Sequence, residues 1–134
     1  MNTISLLSPD GLVASPAFSH VAVVPPGAAT VYVGGQNAVD ETGALVGGDD
    51  AAAQTRKVMA NLVTALEGAG ATIGDVVSMT ELLVDGVDVV AAYGAASESL
   101  AGLDPPPLVT AAMVAGLGVP GALVEVGAIA AVMP

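Results

Sequence analysis

The chain has 134 residues, enough for one domain that removes roughly two-thirds of its unfolded surface from water. Hydrophobic residues make up 54% of it but aromatic residues only 2%. Its core must therefore be built from small side chains that each bury little area, which favours a core shared between subunits. Thirteen acidic residues against two basic ones give a formal net charge of −11. Because such a surface repels phosphate backbones and anionic lipid, nucleic-acid and membrane-surface binding are disfavoured.

The residue types that hold most metals and cofactors are scarce. There is no cysteine, which excludes a disulfide framework and a cysteine zinc site, and the single histidine is His20. The run Gly116–Gly121 matches the letters of a dinucleotide fingerprint. A predicted strand follows that run, whereas the fingerprint needs a helix there. We therefore expect no metal and no cofactor.

One segment is nominally long enough to cross a membrane. Pro105 to Val124 is uncharged for twenty residues. Its prolines and glycines break it into pieces that suit strands and a turn. The N-terminus also lacks the basic region of a secretory signal. The sequence therefore predicts a soluble, cytoplasmic protein without a membrane segment.

The first third of the chain has β-strand character. A short edge strand is expected within residues 1–19, and residues 20–24 and 30–33 read as a hairpin across Pro25-Pro26-Gly27. Gly34-Gly35 follows directly. Two glycines at the end of a strand allow close approach either by a neighbouring strand or by a ligand, and both interpretations stay open.

Two helices are predicted in the rest of the chain. Apolar residues recur at helical spacing from Ala51 to about Gly68, after Asp49 or Asp50 as N-cap. A second helix begins after Asp88 and runs to about Ala101.

The remaining segments are predicted strands. Val76–Val84 lies between the helices, with Glu81 on the same face as Met79, and Leu108–Leu117 and Ala122–Val132 close the chain. The order β-β-α-β-α-β-β, with the N-terminal edge strand, predicts a single α+β domain over residues 1–134. It has one mixed six-stranded sheet and two helices on one face.

The closing strands are apolar on both faces. Leu108, Ala112 and Val114 point one way, and Val109 and Met113 point the other. Two helices cover one face of such a sheet, so the other face needs a second subunit. Patterning alone thus predicts an oligomer.

Glu125 is the one charged side chain between Pro105 and Pro134. An isolated carboxylate in an apolar strand needs donors or a polar cavity, because burying it unpaired is costly. A surface acid near the end of a strand is the alternative. Glu81, a second acid in an apolar strand, would join Glu125 in acid/base work only if the carboxyl groups lay a few ångströms apart. His20 at a strand start reads as a surface or packing residue.

These residues resemble the Rid superfamily of reactive intermediate deaminases, also called the YjgF family, from about Pro16 to Ala130. The matching segments, in chain order, are Phe18-Ser19-His20, Val31 to Gln36, Gln54-Thr55, Asn61-Leu62, Leu66, Gly70-Ala71, Asp75-Val76-Val77, Tyr93, Pro107, Thr110, Val124-Glu125-Val126 and Ala128-Ile129-Ala130.

The resemblance implies a chorismate-mutase-like fold and a homotrimer with small-molecule clefts between its subunits. In deaminating members, an arginine on the penultimate strand holds the substrate carboxylate. A glutamate on the last strand positions or activates the water that attacks the C=N carbon. Glu125 occupies the position of that glutamate.

The chain departs from the family pattern at several cleft positions. Val109 stands where the arginine belongs, which removes the bidentate donor for a carboxylate. Phe18 replaces a common tyrosine, Val90 a polar residue and Gly34 a usual serine. The predicted cleft is therefore more apolar than that of the deaminases.

These features lead to two hypotheses of function. The first is a Rid-like enzyme acting on a small, largely apolar imine, enamine or carbonyl-type intermediate. Hydrolysis is its default reaction, with tautomerisation or cyclisation in a biosynthetic pathway as further options. Glu125 would be its acid/base or water-positioning residue, and its cleft would be shaped by Phe18, Gly35, Val90, Val109 and Ala111. The second is a non-catalytic binding or chaperone-like trimer that has lost the chemistry.

Overall fold

The computed structural model describes residues 3–134. The elements in this range are β1 (Ser5–Leu7), β2 (Val21–Val23), β3 (Ala29–Gln36), α1 (Ala51–Gly68), β4 (Val76–Val84), α2 (Val89–Leu100), β5 (Leu108–Val114) and β6 (Val124–Val132). A short 3₁₀ turn, Ile73–Asp75, leads into β4. The predicted bounds of α1 are confirmed. The last two strands are shorter than predicted, and the connection between them is longer, because Gly116, Gly118 and Pro120 favour irregular backbone.

Four strands form a mixed sheet in the order β3-β6-β4-β5. β6 pairs antiparallel with both of its neighbours, and β4 pairs parallel with β5. The α+β class and the mixed sheet are confirmed.

The predicted hairpin between residues 20–24 and 30–33 is wrong. β2 pairs with β1, and β3 pairs with β6 at the far edge of the other sheet. Pro25 and Pro26 have no N–H to donate, so the connection between β2 and β3 cannot continue a ladder between them. The long strand β6 offers β3 a full-length partner instead.

The predicted single six-stranded sheet is also corrected. The β1-β2 ribbon is separate and touches β5 through one parallel bridge between Ser19 and Leu108. The Ser19 N–H donates to the carbonyl of Pro107 at 3.1 Å. Because Pro105, Pro106 and Pro107 offer only carbonyls, no longer ladder forms along this edge.

Both helices lie on one face of the four-stranded sheet. Each begins at an aspartate cap, with Asp50 accepting from the Ala53 N–H at 3.1 Å and Asp88 from the Ala91 N–H at 3.0 Å. Residues that are fully or almost fully buried fill the space between α1 and the sheet: Val58, Met59, Leu62, Leu66, Met79, Leu83, Val124 and Val126. α2 is rich in alanine and packs mainly on α1.

Among the described residues, no helix covers the other face of the sheet. Tyr32 on this face is 77% exposed, and its partner across the strands, Ile129, is 38% exposed. We call this surface the open face. It agrees with the patterning that led us to expect an oligomer, which stays a prediction. Within residues 3–134, no helix combines the length and the hydropathy that a membrane crossing requires.

Candidate active site

Glu125 lies on β6 with its side chain on the open face. Strand pairing places it opposite Leu82 of β4, and Gly127 follows it on the same face. Its strand neighbours Val124 and Val126 point to the other side and are buried under the helices. The carboxylate is therefore half-buried at the uncovered surface of a strand whose other face is core.

A β-bulge in β3 makes room for this carboxylate. Val33 pairs with Ala128 and Gln36 pairs with Val126, so Gly34 and Gly35 together oppose one residue of β6. A Cβ placed on Gly35 would overlap Oε2 of Glu125, whereas a Cβ placed on Gly34 would meet nothing within 4 Å. The Glu125 side chain thus occupies the space that any side chain at position 35 would need. The group that approaches Gly35 closely is the side chain of Glu125 on the neighbouring strand.

Two amide side chains of α1 hold the ends of these strands. Asn61 donates to the carbonyls of Asn37 and Val39 just after β3, at 3.0 and 2.9 Å. Gln54 donates to the Gly121 carbonyl at 2.9 Å and accepts from the Leu123 N–H at 2.8 Å, just before β6. Gln54 is fully buried. These bonds set the positions of Gly35 and Glu125 relative to the helix layer.

A second feature lies on the helix side of the sheet. A cavity of about 760 Å³ opens between α2, β4, β5 and the loop before β2. We call it the helix-side cavity. Its lining includes three residues predicted to shape the cleft, Phe18, Val109 and Ala111, together with Glu81 and Tyr93. The remaining lining residues are mostly small or apolar: Pro16, Ala17, Gly94, Ala96, Ser97, Leu100, Ala101, Gly102, Leu103 and Pro106.

The loop that carries Phe18 is tied to the start of β5. Ser19 is buried, and its hydroxyl donates to the Pro106 carbonyl at 2.6 Å. The His20 ring packs edge-on against Phe18 with a centroid separation of 5.4 Å, and its Nε2 lies 2.7 Å from the Val13 carbonyl oxygen. These contacts hold the Phe18 ring at the cavity. His20 therefore has a packing role in this chain.

The predicted site residues divide between the two faces of the sheet. Strand pairing places Val109 beside Met79 and Ala111 beside Glu81, on the face that the helices cover. Glu125 and Gly35 lie at the open face. Glu81 and Glu125 sit on adjacent strands but point to opposite faces, so one protomer does not bring the two carboxylates together.

Val90 belongs to neither group. It is 83% exposed in the first turn of α2 and does not line the helix-side cavity. Tyr93, one turn further along, does line it. Sequence reasoning did not assign Tyr93 to the cleft, although helical spacing already places it on one face with Ala96 and Leu100.

Charged groups near the two features are few. Arg56 pairs with Glu98 at 3.0 Å on the exposed helix surface, and neither residue lines the helix-side cavity. Burial raises the pKa of Glu81, and among the described residues no neighbouring charge or hydrogen bond opposes this effect. Residues 3–134 contain no cluster of three or more side chains able to hold a metal ion.

The fold and the grouping of these residues define a Rid-type protein. The profile of the endoribonuclease L-PSP family matches residues 10–132, and the chain belongs to that family. This confirms the resemblance to the Rid superfamily. No curated protein sequence matches the chain.

Solved structures of Rid proteins cover almost the whole chain. YyfB of Yersinia pestis, a Rid-family protein of unknown function, is 32% identical, with a TM-score of 0.83 over 97% of this chain and 98% of its own. A putative endoribonuclease L-PSP of Entamoeba histolytica is also 32% identical, with a TM-score of 0.68 and coverages of 96% and 98%. RidA of the Antarctic bacterium Psychrobacter sp. is 31% identical, with a TM-score of 0.67 and coverages of 86% and 93%.

Proposed function

We propose that the chain is a Rid-like enzyme that hydrolyses a small, largely apolar imine or enamine, with Glu125 positioning and activating the attacking water. One observation carries this proposal: the Glu125 carboxylate lies directly against Gly35, where a Cβ would displace it. Among the described residues it forms no ion pair, because the one ion pair present joins Arg56 to Glu98. A half-buried acid held in this way is available to a ligand.

The complete site would form between protomers of a homotrimer. One protomer would supply the helix-side cavity, with Phe18, Val109 and Ala111, and its neighbour would supply Glu125 and Gly35 from the open face. Two features of the chain support this assembly. The residues predicted to share one cleft lie on opposite faces of one sheet, and the open face exposes Tyr32 and Ile129 and is not covered by any helix of the described residues. Each protomer alone would therefore carry one half of each of two different sites.

The chemistry then follows from general base catalysis. Glu125 accepts a proton from water as the water oxygen bonds to the C=N carbon, and it passes this proton to the imine nitrogen. Transfer of the hydroxyl proton of the tetrahedral adduct to the nitrogen then breaks the C–N bond and releases a carbonyl compound and ammonia or an amine. The same carboxylate also suits a tautomerisation, in which it moves a proton between the α-carbon and the nitrogen, or a cyclisation, in which it takes the proton from an internal nucleophile as that group bonds to the C=N carbon. The apolar cavity would hold the body of the substrate.

A non-catalytic binding protein is the second candidate. The observation that favours it is the loss of polar groups from the cavity wall, where Phe18 and Val109 offer no hydrogen bond. RNA cleavage, which the name of the family suggests, is not supported by the charges of this chain. Its net charge of −11 repels phosphate, and Arg56, one of its two basic residues, is already paired.

A gain-of-function variant tests the placement of Val109. Val109→Arg would restore the carboxylate clamp, but strand pairing puts Val109 on the same face as Glu81 of the neighbouring strand. The new guanidinium would pair with Glu81 and be lost to the substrate. We therefore expect Val109→Arg combined with Glu81→Val to raise hydrolysis of 2-imino acids by roughly tenfold to a hundredfold. Val109→Arg alone should raise it far less.

The 2-imino acids are generated in situ, and their disappearance is followed by trapping with semicarbazide. The matched control is Glu81→Val alone, which lacks the new guanidinium and should show no gain in the rate for 2-imino acids. A folded double variant with no gain would contradict the assignment of Val109 to the substrate cleft.

Replacing Gly35 tests whether catalysis depends on the position of the Glu125 carboxylate. Gly35→Ala is expected to lower kcat for imine hydrolysis by roughly tenfold to a hundredfold, because a displacement of about 1 Å at a reacting group has effects of that size. Gly34→Ala is the matched control, since its new Cβ meets nothing within 4 Å. Neither glycine has a positive φ, so both variants should unfold at nearly the wild-type temperature. Equal kcat in the two variants would show that the carboxylate position is unimportant.

A further inference from the structure

Glu81 is a charged side chain that the proposed water chemistry does not use. It lies on β4 between the buried residues Met79 and Leu83, on the face that the helices cover, and is only 6% exposed. It lines the helix-side cavity together with Tyr93, Val109 and Ala111. The carboxyl group therefore stands in the wall of a cavity that is otherwise largely apolar.

This carboxyl group has no partner among the described residues. Burial alone accounts for its raised pKa, without a contribution from any hydrogen bond or charge. No buried side-chain oxygen or nitrogen in residues 3–134 is both fully enclosed and unpaired, so the Glu81 oxygens reach the free space of the cavity. An acid in this position is unfavourable for folding alone, because a buried carboxyl group is costly unless it is paired.

The cavity around Glu81 has the size and character of a ligand site. Its volume of about 760 Å³ falls within the usual range for small-molecule pockets. Such pockets are mainly apolar, and a few polar groups fix the orientation of the ligand. Among the described residues that line this cavity, Glu81 is the one that can carry a full negative charge at neutral pH, and none is basic.

We propose that Glu81 binds the basic nitrogen of the ligand, a protonated amine or iminium group whose apolar body fills the helix-side cavity. An ammonium or iminium N–H offers the charged donor that this carboxylate lacks, and pairing removes the cost of burying it. A ligand carboxylate would meet a like charge and no cation. This inference rests on the proposed function and deepens it by naming the substrate class. Hydrolysis of an imine releases an amine, and protonation of an imine gives an iminium ion.

Binding of three probes with the same phenyl body tests this assignment. 2-Phenylethylamine, 2-phenylethanol and 3-phenylpropionate are titrated at pH 7.5 by isothermal calorimetry and ligand-observed NMR. We expect the amine to bind at least tenfold more tightly than the alcohol, and the carboxylate to bind most weakly. Glu81→Gln should reduce the preference for the amine over the alcohol by at least tenfold, while Glu67→Gln, at an exposed site on α1, should leave it unchanged.

Three results would overturn the proposal: equal binding of all three probes, no binding of any of them, or an unchanged amine preference in Glu81→Gln. If Glu81→Gln does not fold, Glu81→Val replaces it, because an aliphatic side chain suits this apolar wall. Glu125→Gln separates this inference from the proposed function. It should lower kcat by about 10²- to 10⁴-fold and keep the amine preference. An amine preference that is lost in Glu125→Gln and kept in Glu81→Gln would show that Glu125, and not Glu81, binds the nitrogen.

Discussion

Glu125→Gln is expected to lower kcat for imine hydrolysis by about 10²- to 10⁴-fold, the usual contribution of a general base. Glutamine keeps the size of the side chain, so it fits the space over Gly35, but it cannot accept the proton of the attacking water. KM should change little, because the body of the substrate would be held by the helix-side cavity. The measurement is steady-state release of ammonia or amine from a neutral, apolar imine generated in situ.

The same variant separates an enzyme from a binding protein. Glu41→Gln is the matched control, since it removes one carboxylate from an exposed loop and should keep wild-type kcat. If Glu125→Gln hydrolyses the imine as fast as Glu41→Gln does, Glu125 is not the base. If the wild-type protein binds the ligand and shows no turnover, the non-catalytic alternative is correct.

Restored activity in mixed oligomers is the second large effect that we expect. Glu125→Gln leaves the helix-side cavity intact, and Ala111→Trp fills that cavity but leaves Glu125 intact. Each variant alone should be almost inactive. When the two are co-expressed in equal amounts, random assembly into cyclic trimers should leave about a quarter of the sites with both halves native. Hydrolysis should then return to about a quarter of the wild-type rate.

The mixing experiment has its own control and its own contradicting result. Separately purified variants, combined without exchange of subunits, should stay inactive. Ala111 is exposed at the edge of the sheet, so tryptophan can extend into the cavity without displacing the core. If co-expressed variants remain inactive although tagged copies show mixed oligomers, each protomer carries a complete site and the shared cleft is wrong. A stable monomer in light scattering would also contradict a cleft shared between protomers.

Local patterns in the sequence were sufficient for the helices and for the faces of individual strands. Helical periodicity and the aspartate caps define α1, because these signals act within a few residues. Alternation along residues 76–84 correctly puts Glu81 with the buried Met79. Strand pairing could not be read in this way. Pro25-Pro26-Gly27 looked like a hairpin turn, yet β3 takes β6 as its partner, and the paired residues lie at least ninety positions apart along the chain.

The candidate site also combines features that the sequence determines with features that depend on strand pairing. The sequence by itself determined that an isolated acid, Glu125, stands in an apolar strand, and the family resemblance predicts that Val109 stands at the position of an arginine. Only the tertiary structure decided that Gly35 lies under the Glu125 carboxylate, that Val109 and Ala111 face the other side of the sheet, and that Glu81 opens into a cavity. The physical reason is that side-chain alternation is a property of one strand. Which strands become neighbours, and in which register, depends on hydrogen bonds and packing between distant segments.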